Sequence, residues 1–368
     1  MPTTPRRVVV VGATGNVGLS VVRRLADRGD VEVVGVARRA PDLTLPNVTW
    51  QEADLTPRHR GDDEPGPLEG LLAGADAVVH LAWLIQPSRD RSRLWEVNVG
   101  GTHRLLEAVR RAEVPHLLYA SSVGAYAPAA PGTVVDESWP TQGVGTSAYG
   151  TAKAYVERAL DAFEATTEVQ VTRLRPGLIV QRDAASHVRQ LFLGSLAPNA
   201  AARWLRRAPV LPHVRDLWLP LVHTSDVAAG FEAAFERGAA GAFNLVADPP
   251  LQLHDVAALL GARTVNVPPR AVRPLVRAGY AARLHPIDVG WFDLALRTPL
   301  LDVGRARAEL GWSPRWSSED ALLDVLGGLG DGAGRSTPPL RPDAARDRWR
   351  EAASGQGARE RLERAPRR

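Results

Sequence analysis

Four consecutive valines, Val8 to Val11, run straight into Gly12-Ala13-Thr14-Gly15-Asn16-Val17-Gly18, and helical apolar spacing follows at Val17, Val21, Val22 and Leu25. Few folds accept that order. A run that is apolar on both sides of the pleat reads as a strand buried on both faces, the environment of a parallel sheet. Glycines at the strand end allow a tight turn and let backbone approach a pyrophosphate, which then rests on the amino end of the helix. Gly12, Thr14, Gly15, Asn16, Val17 and Gly18 are therefore candidate dinucleotide contacts.

The rest of the first half repeats the alternation. Strands are predicted at 31–37, 75–82, 117–121 and 169–175, with helical patterns at 68–73, 92–112 and 149–166 between them. Alternating strand and helix over some 175 residues predicts an α/β fold, a Rossmann-type doubly wound parallel sheet. Beyond Pro176 the pattern loosens. Residues 221–223 and 242–245 read as short strands returning to the main sheet, so the dinucleotide-binding domain is expected to comprise 1–180 plus 221–246. Residues 181–220 and 247–326 form the expected substrate lobe, helical over 252–326. Residues 327–368, rich in Gly, Pro and Arg, read as a disordered tail with a short helix at 343–353.

Composition narrows the chemistry. With no cysteine, disulfides, zinc-thiolate sites and thiol catalysis are excluded, and no metal site is expected. No apolar run reaches membrane-spanning length and no signal-peptide core precedes the first strand, so a cytoplasmic protein without a membrane partner is expected. The net charge of +4 is spread along the chain and reads as a solvated basic surface rather than a nucleic-acid site.

Of the 45 Lys+Arg residues, a single one is lysine, Lys153. It stands four after Tyr149, and with five tyrosines in the chain that spacing arises by chance in about one or two cases per hundred. An ammonium is a compact point charge with a movable pKa; a guanidinium is a planar, permanently charged fork. Lowering a tyrosine pKa, holding vicinal hydroxyls and relaying a proton suit lysine. Spacing of i,i+4 puts both side chains on one helix face.

The end of the second strand discriminates cofactors. An acidic residue there would select NAD through the adenosine ribose hydroxyls. The chain has Arg38-Arg39, and a cation there pairs with a 2′-phosphate. NADP(H) is therefore favoured, with Arg38 as main contact and NAD(H) as the alternative. Asp54-Leu55, read as following a third strand between those at 31–37 and 75–82, places a carboxylate either on the adenine amino group or at a helix N-cap.

Together these motifs resemble the extended short-chain dehydrogenase/reductases, the NAD-dependent epimerase/dehydratase family, over roughly residues 6–326. In family order they are the glycine loop 12–18, His80-Leu81-Ala82, Asn98-Val99-Gly100-Gly101-Thr102, Ala120 to Tyr126, Tyr149 with Lys153, Arg175-Pro176-Gly177, Val222 to Ala228, Phe243-Asn244 and the closing stretch from Asp302 to Pro314. The resemblance implies Ser122, Tyr149 and Lys153 as the catalytic group. It implies cofactor contacts also at Leu81, Ala82, Asn98, Pro176 and Gly177, with Asn98 more a brace than a contact. It implies a substrate pocket including Trp83, Leu84, Ile85, Ala125, Tyr126, residues 177–180 and parts of 181–220, mostly apolar. His80 and His223 read as structural.

Departures from the family pattern sort the chemistry. Val123-Gly124 stand where dehydratases carry Asp-Glu, which argues against water elimination. Leu219-Pro220 replace the Arg-Asp pair with which sugar-nucleotide epimerases hold phosphates. The expected function is an NADP(H)-dependent oxidoreductase interconverting a secondary alcohol and a carbonyl in a small-molecule substrate, with Tyr149 as acid/base. The alternatives are a nucleotide-sugar epimerase using bound NAD and a non-catalytic nucleotide-binding regulator. A homodimer through the long helices near 94–112 and 149–166 is an expectation from the same resemblance.

Overall fold

A computed structural model describes residues 5–56, 67–85, 89–192 and 208–341. Seven parallel strands form the central sheet: β1 (Arg6–Val11), β2 (Val31–Ala37), β3 (Val48–Glu52), β4 (Ala77–His80), β5 (His116–Ala120), β7 (Gln170–Pro176) and β12 (Gly241–Leu245). The two-residue β6 (Val134–Val135) lies outside it. The spatial order is β12-β7-β5-β4-β1-β2-β3. The chain thus runs outward through β2 and β3 and then restarts on the other side of β1 with β4. That reversal opens a crevice at the carboxyl ends of β1 and β4, where open α/β sheets bind ligands.

The alternation in the valine run decides what covers each face. Val8 and Val10 share a core with Val21, Val22 and Leu25 of α1 (Asn16–Ala26) and with the later phenylalanines Phe231 and Phe235. Val9 and Val11 face the opposite core, with Leu105 and Val109 of α4 (Gly101–Arg111) and Leu160 of α5 (Ala148–Glu164). The first-half helices are α1, α2 (Pro67–Leu72), α3 (Arg91–Trp95), α4 (Gly101–Arg111) and α5 (Ala148–Glu164). A π-helical turn, Glu96–Gly100, joins α3 to α4, so the predicted single helix at 92–112 is broken where Asn98 sits.

Short sheets carry the remainder. β8 (Leu178–Val180) pairs in parallel with β11 (Leu221–His223); β9 (Val210–Val214) pairs with β14 (Arg263–Val267); β10 (Trp218–Leu219) pairs with β13 (Leu251–Gln252); β15 (Leu300–Leu301) pairs with β6. Residues 221–223 therefore do not join the main sheet as expected, whereas 241–245 do, against β7. The later helices are α6 (Ala185–Phe192), α7 (Thr224–Glu236), α8 (Leu253–Leu259), α9 (Pro269–Ala281), α10 (Val289–Arg297), α11 (Gly304–Leu310) and α12 (Ser318–Asp331). The region 252–326 is not purely helical, because β14 finds a partner in β9, far away in sequence.

The expected tail boundary at 327 is wrong. It falls inside α12, whose Val325, Leu326 and Leu329 pack on Leu221 and Val180. The described chain runs on to Arg341, with Thr337 and Leu340 buried. Residues 342–368, including the helix expected at 343–353, and residues 193–207 of the expected substrate lobe lie outside the described residues.

Candidate active site

A cavity of about 960 Å³ opens at the carboxyl ends of the strands. Its floor at one end is the glycine loop: Gly12, Thr14, Gly15, Asn16, Val17 and Gly18 all line it. Two glycines are dictated by backbone approach. Gly12 has φ +89°, and a Cβ there would meet the Ala82 backbone nitrogen at 2.6 Å; one on Gly18 would meet the Gly12 carbonyl oxygen at 2.1 Å. Asn16 is held from across the molecule, its Oδ1 accepting from Gln181 Nε2 at 2.5 Å and from the Thr224 hydroxyl at 3.2 Å. Arg38 and Arg39, exposed after β2, line the mouth with Asp54 and Leu55. Asp54 caps a turn rather than a helix: Oδ1 accepts from the backbone N–H and the hydroxyl of Thr56. Leu81, Ala82, Pro176 and Gly177 complete this wall.

The reacting end is built by α5. Ser147 caps the helix, its hydroxyl accepting from Gly150 N–H at 3.2 Å, and Tyr149 lies in the first turn. Ser122, at the end of β5, accepts from Gly124 N–H at 3.0 Å. Burial pushes the Tyr149 phenol up to about 12, and a hydrogen bond with the Ser122 hydroxyl opposes that shift. The expectation of a lowered tyrosine pKa is thus reversed for the protein by itself, because the desolvated phenolate loses more than the serine returns.

Lys153 stands behind the cavity wall. Its Nζ donates to the Ala120 carbonyl at 2.6 Å and to the Tyr119 hydroxyl at 3.2 Å, and lies 3.6 Å from the ring centroid of Trp83. Burial drives the ammonium pKa well down, with Glu157 opposing. Trp83 thus separates Lys153 from the space and meets Tyr149 edge-on, at 6.2 Å between centroids. Asn98 does not line the cavity either. Its carboxamide accepts from Leu84 N–H at 2.7 Å and donates to Leu84 C=O at 3.1 Å, which positions Leu84 in the wall.

Tyr126 and Ala125, expected in the pocket, point away from it. The Tyr126 hydroxyl donates to Asn244 Oδ1 at 2.7 Å and accepts from Arg175 Nη1 at 3.0 Å, so its polar tip is used inside the core. Arg175 in turn forms a buried fork with Glu157, which also accepts from the Ser121 hydroxyl and pairs with Arg173 at 3.7 Å. His80 is held neutral by burial and bonds Thr102, while His223 stacks on Trp316 at 4.1 Å.

What the sequence does not reveal is Trp291. It stacks on Tyr149, with centroids 4.9 Å apart and planes at 29°, from α10 in the second half of the chain. Gly290 makes this possible: a Cβ there would lie 2.4 Å from the Thr146 carbonyl oxygen, so α10 docks directly on the turn that starts α5. Leu294, Ala295 and Thr298 follow Trp291 into the lining, and Val188, Leu191 and Phe192 of α6 face them. No pattern in the local sequence marks α10 as part of the site.

The profile of the NAD dependent epimerase/dehydratase family matches residues 8–245. The chain belongs to that family. The family is one of enzymes, and the glycine cradle, open to the cavity and closed to any side chain at Gly12 and Gly18, suits the backbone-bound pyrophosphate of its dinucleotide. Among curated relatives, an uncharacterized protein of Mycobacterium tuberculosis is 26% identical over 91% of this chain. The chain spans about a third of that relative's length, 32%. Sterol demethylase protein B of Methylococcus capsulatus is 28% identical, over 86% of this chain and 96% of its own. Among solved structures, MoeE5 in complex with UDP-glucuronic acid and NAD shares the fold with a TM-score of 0.63, at 23% identity, over 88% of this chain and 98% of that one. Among the described residues no helix is long and apolar enough to cross a membrane.

Proposed function

We propose that the protein is an NADP(H)-dependent oxidoreductase that interconverts a secondary alcohol and a carbonyl on an apolar small molecule. The observation that carries the reading is the pairing of a buried, protonated phenol with aromatic walls: Tyr149 lies between Trp83 and Trp291. Among the described residues, the Arg, Asp and Glu side chains lining the cavity are Arg38, Arg39, Asp54 and Arg341, all away from β5 and α5. A nucleotide sugar would bring a diphosphate to the tyrosine end and need cations there. Leu219 and Pro220 line the cavity instead. The name of the Methylococcus relative supports the same reading, since a sterol is an apolar alcohol.

The cofactor, when bound, supplies or accepts the hydride at the carbinol carbon. Residues of the glycine loop would hold its pyrophosphate, and Arg38 its 2′-phosphate. Tyr149 donates its proton to the carbonyl oxygen during reduction and takes one from the alcohol during oxidation. Ser122 hydrogen-bonds the same oxygen and stabilises charge developing on it. Lys153 keeps positive charge behind the pair, and the aromatic walls exclude water. A homodimer through the helices near 94–112 and 149–166 belongs to this reading, supported by the exposed Trp95 and Tyr155, whose tilted rings lie 5.0 Å apart; sedimentation of the purified protein as a monomer would exclude it.

The test is to denature purified protein, identify any released nucleotide by mass spectrometry, and then screen carbonyl compounds with NADPH. An empty site or partial NADP, with NADPH-driven reduction of apolar ketones, is expected. Near-stoichiometric NAD would refute the NADP reading and indicate an epimerase that recycles its own hydride.

A further inference from the structure

We infer that residues 332–341 form a strap that completes the cofactor site, and that Arg341 on this strap pairs with the adenosine 2′-phosphate beside Arg38 and Arg39. The inference rests on the NADP(H) reading above.

The strap is anchored at each step. α12 ends at Gly332 in the left-handed region, φ 65°, and Ala333 N–H donates back to the Gly328 carbonyl at 2.8 Å. The Ala333 carbonyl accepts from the Ser186 hydroxyl of α6 at 3.1 Å. Arg335 pairs with Asp183 at 2.5 Å, and its backbone N–H donates to the Leu340 carbonyl at 2.7 Å, closing the segment into a loop. Leu340 is the apolar anchor. It is 1% exposed and clusters with Leu19 and Ala184, with Leu43 and Trp50 packed against them.

Those neighbours set where the strap lies. Leu19 follows Gly18, the last glycine of the phosphate cradle, and Leu43 is four residues beyond Arg39. The anchor therefore sits on the β2 side of the cavity, where the cations are, and not on the Tyr149 side. Pro339, Leu340 and Arg341 line the same cavity as Gly15, Arg38 and Arg39. Arg341 is exposed, and its one hydrogen bond among the described residues is a long one, 3.4 Å from Nε to the Ser336 carbonyl. The terminal donors of its fork remain for an anion, and a planar guanidinium matches a phosphate with two parallel bonds.

Dissociation constants for NADP+ and NAD+ on the full chain test this, with wild type, Arg341→Ala and Leu340→Ala compared by calorimetry. Both variants should weaken NADP+ binding about tenfold, as loss of one charge-assisted contact does, and leave NAD+ within about twofold. Thermal unfolding of each variant checks that it is folded, and Arg341→Ala, being at the surface, is the variant that decides. Unchanged NADP+ affinity in Arg341→Ala overturns the inference, as does equal weakening of both nucleotides. Wild type that prefers NAD+ would instead refute the NADP(H) reading, a result visible before any variant is made.

Discussion

At the residue scale, the site depends on two buried groups whose pKa values burial shifts in opposite directions. The Tyr149 phenol is pushed up to about 12 by burial, and the Lys153 ammonium is driven down by the same cause. A phenol with that pKa is protonated throughout the neutral range, so it serves as proton donor without preparation and as proton acceptor only at a cost. Carbonyl reduction should therefore hold its rate from pH 6 to 9, and alcohol oxidation should rise with pH over the same interval. Initial rates in both directions against pH would check the sign; an oxidation rate that falls as pH rises would contradict it. Tyr149→Phe should lower turnover by about a thousandfold, the size of a lost general acid, with cofactor affinity kept. Lys153→Arg should be equally inactive, because Nζ is wedged between the Ala120 carbonyl and the face of Trp83, where a fork has no room. A fully active Arg variant would remove the reason for the chain's one lysine.

At the element scale, glycines decide which backbones touch. The loop between β1 and α1 was legible because its glycines stand at fixed spacing in one local run, with Gly18 against the Gly12 carbonyl of the same loop, although Gly12 itself meets the Ala82 backbone after β4. Gly18→Ala should abolish nucleotide binding and destabilise the protein by at least about 2 kcal/mol, since an added methyl there displaces main chain rather than a flexible side chain. Titration with NADP+ and denaturant melts would measure the two effects; an Ala variant that binds normally would mean the loop is not the cradle. Gly290 obeys the same physics and was not legible. Its contact partner is the turn at Thr146, and nothing in the local sequence records that α10 will dock there. Asn98 falls between these cases: its motif was visible, but its duty, bracing Leu84, depends on the π-helical turn that only the folded chain reveals.

At the scale of the whole molecule, burial in the core sets acid sensitivity. His80 and His116 are held neutral by burial, down to about 3 and about 4 from 6.5. The unfolded chain therefore protonates first on acidification. Each histidine's contribution is complete above about pH 6.5 and declines below it by about 1.4 kcal/mol per pH unit, until the folded pKa is reached. Urea unfolding at pH 7.5 and pH 5 should show a clear fall in midpoint, and His80→Asn should shrink it; a midpoint unchanged by pH would refute this account. The sequence by itself determined the alternation of strand and helix in the Rossmann-type half, the glycine cradle and the i,i+4 spacing of Tyr149 and Lys153. Those features are written in local periodicity and fixed spacing, which act over one strand, one turn or one helix face. Tertiary structure alone decided which side chains close the cavity. Trp291 reaches Tyr149 across 142 positions of chain, Tyr126 turns inward because Arg175 and Asn244 satisfy its hydroxyl, and Leu340 carries a supposed tail onto the first turn of α1. Packing between distant segments is governed by shape and by the pairing of buried polar groups, and neither leaves a period in the sequence.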